Sequence, residues 1–311
     1  MLVLALNPSI DCEWQVDKVR WEEKNTVASE RRWAGGKGVN VARWLKHLGE
    51  NPQLLLPLGG ATGKELALCL RQEELAAKIV PLREPTRVNI IVTTSARRQM
   101  RFNPKGPELS AREWQAILDT VKRQLSWSTF GLLALSGGLP RGLASDAYAE
   151  MLAIAHRQGT RCFLDCDGAP LASAVKARPF LVKPNVHELA EWSGQSLMSL
   201  SKIVAAAQTL SKITRGWVLV SRGQHGALLI NARAQFQLAC SATKVNPLNT
   251  VGAGDAMLAA IIHQVQRGSP PEEWLRWGIA VGTAATQTAA GKLPPQTAIQ
   301  KLVTLPRLQR L

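Results

Sequence analysis

Acidic residues are scarce in this chain: 23 Asp and Glu stand against 38 Lys and Arg, for a formal charge of +15. A field of that sign gathers anions, whether nucleic acids or phosphorylated metabolites. No polybasic tail, zinc-finger spacing or RNA-recognition signature concentrates the charge, so nucleic acid is not the expected partner. Cysteine is sparse and odd in number. Cys12, Cys69, Cys162, Cys166 and Cys240 form no dense framework, which together with the lack of a secretory leader predicts reduced thiols and a cytoplasmic protein. Long apolar runs are missing too. The opening MLVLALNPS is too short to span a bilayer and has no basic leader, so it reads as a core strand and no membrane role is expected. Aromatics are few, with 1 Tyr and 5 Phe against 10 Trp. Gly and Pro, at 24 and 17, are near ordinary usage and argue against disorder.

What the chain does have is apolar material, 46% of 311 residues. That builds a sizeable core in one large domain or two ordinary ones. Leu2 to Leu6 stop at Asn7-Pro8, where proline ends a strand. GGKG at 35–38 leads into Val41, Trp44, Leu45 and Leu48 at helical spacing, with Gly49 as a stop. LLLPL at 54–58 reads as a short buried strand interrupted at Pro57. RVNIIVTT and MRFN form a strand pair that could complete a small sheet with residues 14–21. Ser110 and Glu113 predict a capping box. From GLLALSGG onward apolar strands alternate with amphipathic helices, which predicts an α/β protein with a mostly parallel sheet and helices on both faces.

NTVGAGDAM at 249–257 is the most informative segment. Gly252 and Gly254 permit a tight turn, and free amides at the following helix start would face a phosphoryl group. Asp255 either serves as the base for an attacking hydroxyl or merely favours the positive helix end. SRGQHG at 221–226 either approaches nucleotide phosphates or is an ordinary turn; it is neither a Walker motif nor GxGxxG. Asn7 and Asp11 in NPSID offer hydroxyl partners or simply shape a loop. Lys37 and Asn40, with Arg87, Asn89 and Lys105, supply charge and amides suited to a sugar phosphate, Arg by its fork, although surface charge explains Arg87 and Lys105 as well. In LVKPNVHEL, Lys183, Asn185 and Glu188 follow a strand. Asn185 and Glu188 would orient waters around magnesium, or Glu188 caps the next helix, while His187 reads as exposed. Asp165 and Asp167 in FLDCD and the SGGLP turn at 136–140 are secondary candidates.

Together NPSID, AGGKGVNVA, TRVN, FNPKGP, SGGLP, LVKPNVHEL and NTVGAGD resemble the ribokinase-like (PfkB-type) carbohydrate kinases, particularly the bacterial 1-phosphofructokinase and tagatose-6-phosphate kinase branch. The resemblance spans nearly the whole chain. It implies a ribokinase-like three-layer fold, a single kinase domain over 1–311, and a small β-sheet lid from about 12–22 and 87–102 that also contributes to a homodimer. It implies ATP as phosphoryl donor, Mg2+, and a phosphorylated hexose as acceptor, with fructose 1-phosphate ahead of tagatose 6-phosphate and fructose 6-phosphate. A catalytically weak sugar-phosphate sensor is the alternative.

By the same resemblance Asp255 is the base, and Gly252, Ala253 and Gly254 form the anion hole. Asn7, Asp11, Gly36, Lys37, Asn40, Arg87, Asn89 and Lys105 belong to the sugar side, with Lys37 and Arg87 on the existing phosphate. Lys183, Asn185, Ser221, Gly223 and Gly226 belong to the nucleotide side, and Asn185 and Glu188 to magnesium through water. The chain departs from the pattern at Asn249, Ala256 and Arg222, which bears on nucleotide affinity and rate more than on fold.

Overall fold

The computed structural model describes residues 1–127 and 130–311. The chain opens with β1 (Leu2–Leu4), β2 (Ser9–Val16), β3 (Ser29–Gly35), α1 (Lys37–His47), β4 (Gln53–Gly59), α2 (Gly60–Gln72) and β5 (Ala77–Leu82). It continues through β6 (Arg87–Thr94), β7 (Gln99–Phe102), α3 (Ala111–Trp127), β8 (Leu132–Ser136), α4 (Ala147–Arg157), β9 (Arg161–Asp165) and α5 (Gly168–Ala174). Next come β10 (Leu181–Val182), α6 (Val186–Ser193), α7 (Leu200–Thr214), β11 (Trp217–Ser221), β12 (Ala227–Asn231) and β13 (Phe236–Cys240). The last elements are α8 (Ala253–Gln266), α9 (Pro271–Thr286), α10 (Gln296–Val303) and β14 (Leu308–Arg310).

Ten strands form one sheet in the order β14-β13-β12-β11-β10-β9-β8-β1-β4-β5. From β5 to β11 every pairing is parallel, and β12, β13 and β14 add an antiparallel edge. Side-chain alternation splits the core into two layers. Leu2 and Leu4 of β1 pack with residues of α3, α4 and α7, while Val3 faces α1, α8 and α9. Helices therefore cover both faces, giving three layers. The single tyrosine is buried in one of them and donates its hydroxyl to Gly137 O at 2.8 Å. Ser110 and Glu113 do make the expected capping box at the start of α3.

Pro57 does not interrupt its strand. β4 pairs with β1 only from Gln53 to Leu55, so at Pro57 it has a partner on one side alone, β5, and the missing N–H breaks no ladder. A second sheet, in the order β3-β2-β6-β7, is inserted between the early elements of the first. Its limits differ from those read in the sequence. β2 starts at Ser9 and ends at Val16, and β3, which carries few apolar residues, went unmarked. Arg32 on β3 grips Glu65 on α2 through two hydrogen bonds of 2.7 and 2.9 Å, tying the small sheet to the body.

Parallel strands that all point one way deliver their following loops to one edge, where open α/β sheets bind ligands. Here that edge receives Asn7 after β1, Gly137 after β8, Asp165 at the end of β9, Lys183 and Asn185 after β10, and Ser221 at the end of β11.

Candidate active site

Asp255 lies in the first turn of α8, whose N-cap is Gly252 in the left-handed region at φ 79°. The turn before it is shaped by Asn249, whose Oδ1 accepts from Val251 N at 3.1 Å. Asp255 is buried, with one oxygen, Oδ2, accepting from Asn40 Nδ2 at 2.8 Å. Burial pushes its carboxyl up to about 6, the negative charge of Asp165 adds to this, and Asn40, Lys37 and Lys183 pull the other way. Ala256, beside it, is fully buried in the core, where a serine hydroxyl would need a partner.

Asp165 proves central, although the sequence suggested only a secondary role. It is almost completely buried, with Lys37 Nζ 3.2 Å from Oδ1 and Lys183 Nζ 3.0 Å from Oδ2. Burial alone would raise its pKa, but the two ammoniums outweigh burial and hold it low. Lys37, held charged by Asp165, also comes within 3.8 Å of Glu188 Oε1. Its head thus faces the carboxylates of Asp165 and Glu188. A Cβ placed at Gly254 would sit 3.3 Å from Lys183 Nζ, so the second ammonium reaches the start of α8.

On the small sheet, Asp11 accepts at Oδ1 from Ser9 Oγ and Asn89 Nδ2, both at 2.8 Å. Burial raises its pKa despite these donors. Arg87 donates Nη1 to Pro104 O at 2.9 Å and Nη2 to Asn7 O at 2.8 Å, and its buried Nε has no partner among the described residues. Burial weakens this guanidinium, and the charge of Asp11 opposes that only in part. Asn7 turns out to tie loops together. Its Nδ2 donates to Lys105 O at 2.9 Å and Leu139 O at 3.3 Å, while its buried Oδ1 has no partner among the described residues. Lys105 lends that carbonyl while its side chain stays exposed. Gly36 is the N-cap of α1, between Lys37 and the end of β3.

Asn185 and Glu188 form a reciprocal capping box at the start of α6. Asn185 Oδ1 accepts from Glu188 N at 2.9 Å, and Glu188 Oε2 accepts from Asn185 N at 2.8 Å. Glu188 Oε1 is left facing Lys37. Among the described residues no cluster of His, Cys, Asp and Glu forms a metal cage. That donor set fits a magnesium ion which keeps its waters and is held mainly by phosphate oxygens. Ser221 N donates to Pro184 O at 3.1 Å, joining the two strand ends. At Gly226, with φ 84°, a side chain would collide with the Cys240 carbonyl, so only glycine lets the two backbones meet. Asn185, Ser221, Arg222, Gly223 and His225 line a cavity of about 570 Å³, with exposed His187 at its wall.

A buried carboxylate at a helix N-terminus, two ammoniums beside it and a separate guanidinium bonded only to backbone carbonyls, at one edge of the sheet of a three-layer fold, define a sugar phosphotransferase of the α/β kind. The chain belongs to the pfkB family of carbohydrate kinases, whose model matches residues 5–298. It is 33% identical to the 1-phosphofructokinase of Haemophilus influenzae over 94% of this chain and 92% of that one. It is 35% identical to an ATP-dependent 6-phosphofructokinase isozyme 2 of Mycobacterium tuberculosis, over 93% and 84%. A crystal structure of phosphofructokinase-2 from Escherichia coli in complex with potassium superposes with a TM-score of 0.92 at 31% identity, covering 98% of both chains. The chain is thus an ATP-dependent sugar kinase. No helix among the described residues is long and apolar enough to cross a membrane.

Proposed function

We propose that the chain transfers the terminal phosphoryl group of ATP to a hydroxyl of a hexose phosphate, with fructose 1-phosphate as acceptor and fructose 1,6-bisphosphate as product. The observation that carries this is Asp255, buried beside the free amides at the start of α8 and held through one oxygen by Asn40. Oδ1 takes the proton of the acceptor hydroxyl. The amides of Gly252, Ala253 and Gly254 oppose the charge on the transferred group. Lys37 and Lys183, both aimed by Asp165, stand beside the same group. Arg87 takes the phosphate already on the sugar, and Asp11 and Asn89 take its hydroxyls. Ser221, Gly223 and Gly226 border the nucleotide. Glu188 Oε1 would hold magnesium through water, with Asn185 fixing that carboxylate; the ion would supply charge screening of the nucleotide oxygens. The small sheet acts as a lid that excludes water.

Fructose 6-phosphate is a second reading, favoured by the close superposition on phosphofructokinase-2. A sensor without turnover fits less well, because a buried carboxylate with a raised pKa is a cost that binding alone does not need. The test is a magnesium-ATP assay across fructose 1-phosphate, fructose 6-phosphate, tagatose 6-phosphate, unphosphorylated sugars and nucleosides, with the product's phosphate position determined. Preference for a nucleoside would reject the acceptor class. Full turnover in Asp255→Asn would reject the base.

A further inference from the structure

We propose that Arg43 is a positioning residue whose guanidinium, anchored on Glu73, sets which end of the Asn40 amide faces Asp255. The inference rests on the reading of Asp255 as the base. Arg43 lies on α1 one turn after Asn40, on the same face, and is only 7% exposed. Its Nε donates to Glu73 Oε2 at 2.6 Å and its Nη2 to Oε1 at 2.8 Å, the two-pronged geometry that fixes a guanidinium plane. Nη2 also donates to Ala34 O at 2.6 Å, and Nη1 donates to Asn40 Oδ1 at 2.9 Å. Glu73 is the C-cap of α2, so the anchor stands on a different helix from the group it steadies.

An amide has two ends of similar shape and opposite polarity. With Oδ1 held by the guanidinium, Nδ2 is the end that meets Asp255, 2.8 Å from Oδ2. Turned over, the amide would set its oxygen against a carboxylate and its NH2 against a cation, losing two hydrogen bonds for two repulsions. Arg43 thereby fixes Asp255 through Oδ2 and leaves Oδ1 toward the acceptor. The other charges facing Asp255 are Asp165, Lys37 and Lys183. The charged residues of α9, packed along α8, are Glu272, Glu273 and Arg276, all in its own first two turns. Arg43 also acts on Asp11, lowering its pKa from a distance.

The test compares Arg43→Met, Glu73→Gln, Asn40→Ala and the Arg43→Met/Asn40→Ala double variant, each first checked by melting curve. Two readouts are taken. One is the titration of the Asp255 carboxyl by carbon-13 NMR in the free protein, assigned with Asp255→Asn. The other is kcat and KM for ATP and acceptor across pH. Arg43→Met should raise the Asp255 midpoint and the acid limb of kcat/KM together, and lower kcat by roughly 10²-fold with KM for ATP unchanged. Glu73→Gln should move both readouts the same way by less. On the Asn40→Ala background Arg43→Met should add nothing, since its effect passes through that amide. An unmoved Asp255 titration in folded Arg43→Met, or an equal loss on the Asn40→Ala background, overturns the proposal. If Arg43→Met fails to fold, an unmoved titration in Glu73→Gln overturns it instead. A wild type without sugar-phosphate turnover would sink the proposed acceptor, while the NMR titration would still decide whether Arg43 governs Asp255.

Discussion

At the scale of single residues, Asp255 links chemistry and stability with opposite signs. Its pKa of about 6 lies above the value of about 4 expected in an unfolded chain. Between those values the folded protein holds a proton that the unfolded chain has released, so stability falls as pH rises through that window. Above it the ionised, buried carboxylate is a standing cost. Asp255→Asn should therefore lower kcat by roughly 10³-fold while raising the melting temperature at pH 7.5, with the gain vanishing near pH 4. In the wild type, kcat/KM should fall below pH 6, as measured by initial rates. Arg87→Met should raise KM for phosphorylated acceptors roughly ten- to a hundredfold and leave KM for ATP alone, since it removes a charged partner from the acceptor only. The sequence exposed Asp255 because the glycines just before it, Gly252 and Gly254, announced a helix start. It left Asp165 a secondary candidate and hid Arg43, because partners 128 and 30 residues away make them what they are. It gave no sign that Asn7 also joins loops, its amide nitrogen reaching the carbonyls of Lys105 and Leu139.

At the scale of elements, the start of α6 asks one carboxylate to cap a helix and to face the nucleotide. Glu188→Gln keeps an oxygen that can accept from Asn185 N, so the cap survives and melting should change little. The loss of charge should nevertheless raise the magnesium concentration needed for half-maximal rate, measured by titrating the ion at fixed ATP. An unchanged requirement would leave Glu188 as a cap alone. Gly226→Ala should destabilise by about 1–3 kcal/mol, because the backbone there is left-handed and the Cys240 carbonyl fills the space. Thermal melting checks this. Alternating apolar strands and helices made the main sheet readable in advance. β3 was not readable, since a strand of SERRWAG that relies on pairing and ion pairs carries almost no apolar signal.

At the scale of the whole molecule, the surplus of 15 positive charges should draw anionic substrates to the open edge of the sheet. KM for the sugar phosphate should climb as salt rises toward a Debye length of about 8 Å, with kcat steadier. The small sheet also leaves Phe102 52% exposed and, on the loop beyond β2, Trp21 76% exposed. We read these as part of a face between two copies of the chain. Phe102→Glu should then convert a dimer to a monomer in sedimentation experiments, and a monomeric wild type would dismiss the idea.

Trp33, on strand β3 of that sheet, stacks under Arg31 and presses so closely on Gly291 of the body that an added methyl there would lie 2.9 Å from the indole. The chain thus carries a built-in optical gauge. Any swing of the sheet relative to the body must change the surroundings of this ring, and the difference in emission between the wild type and Trp33→Phe would time that swing without an attached dye.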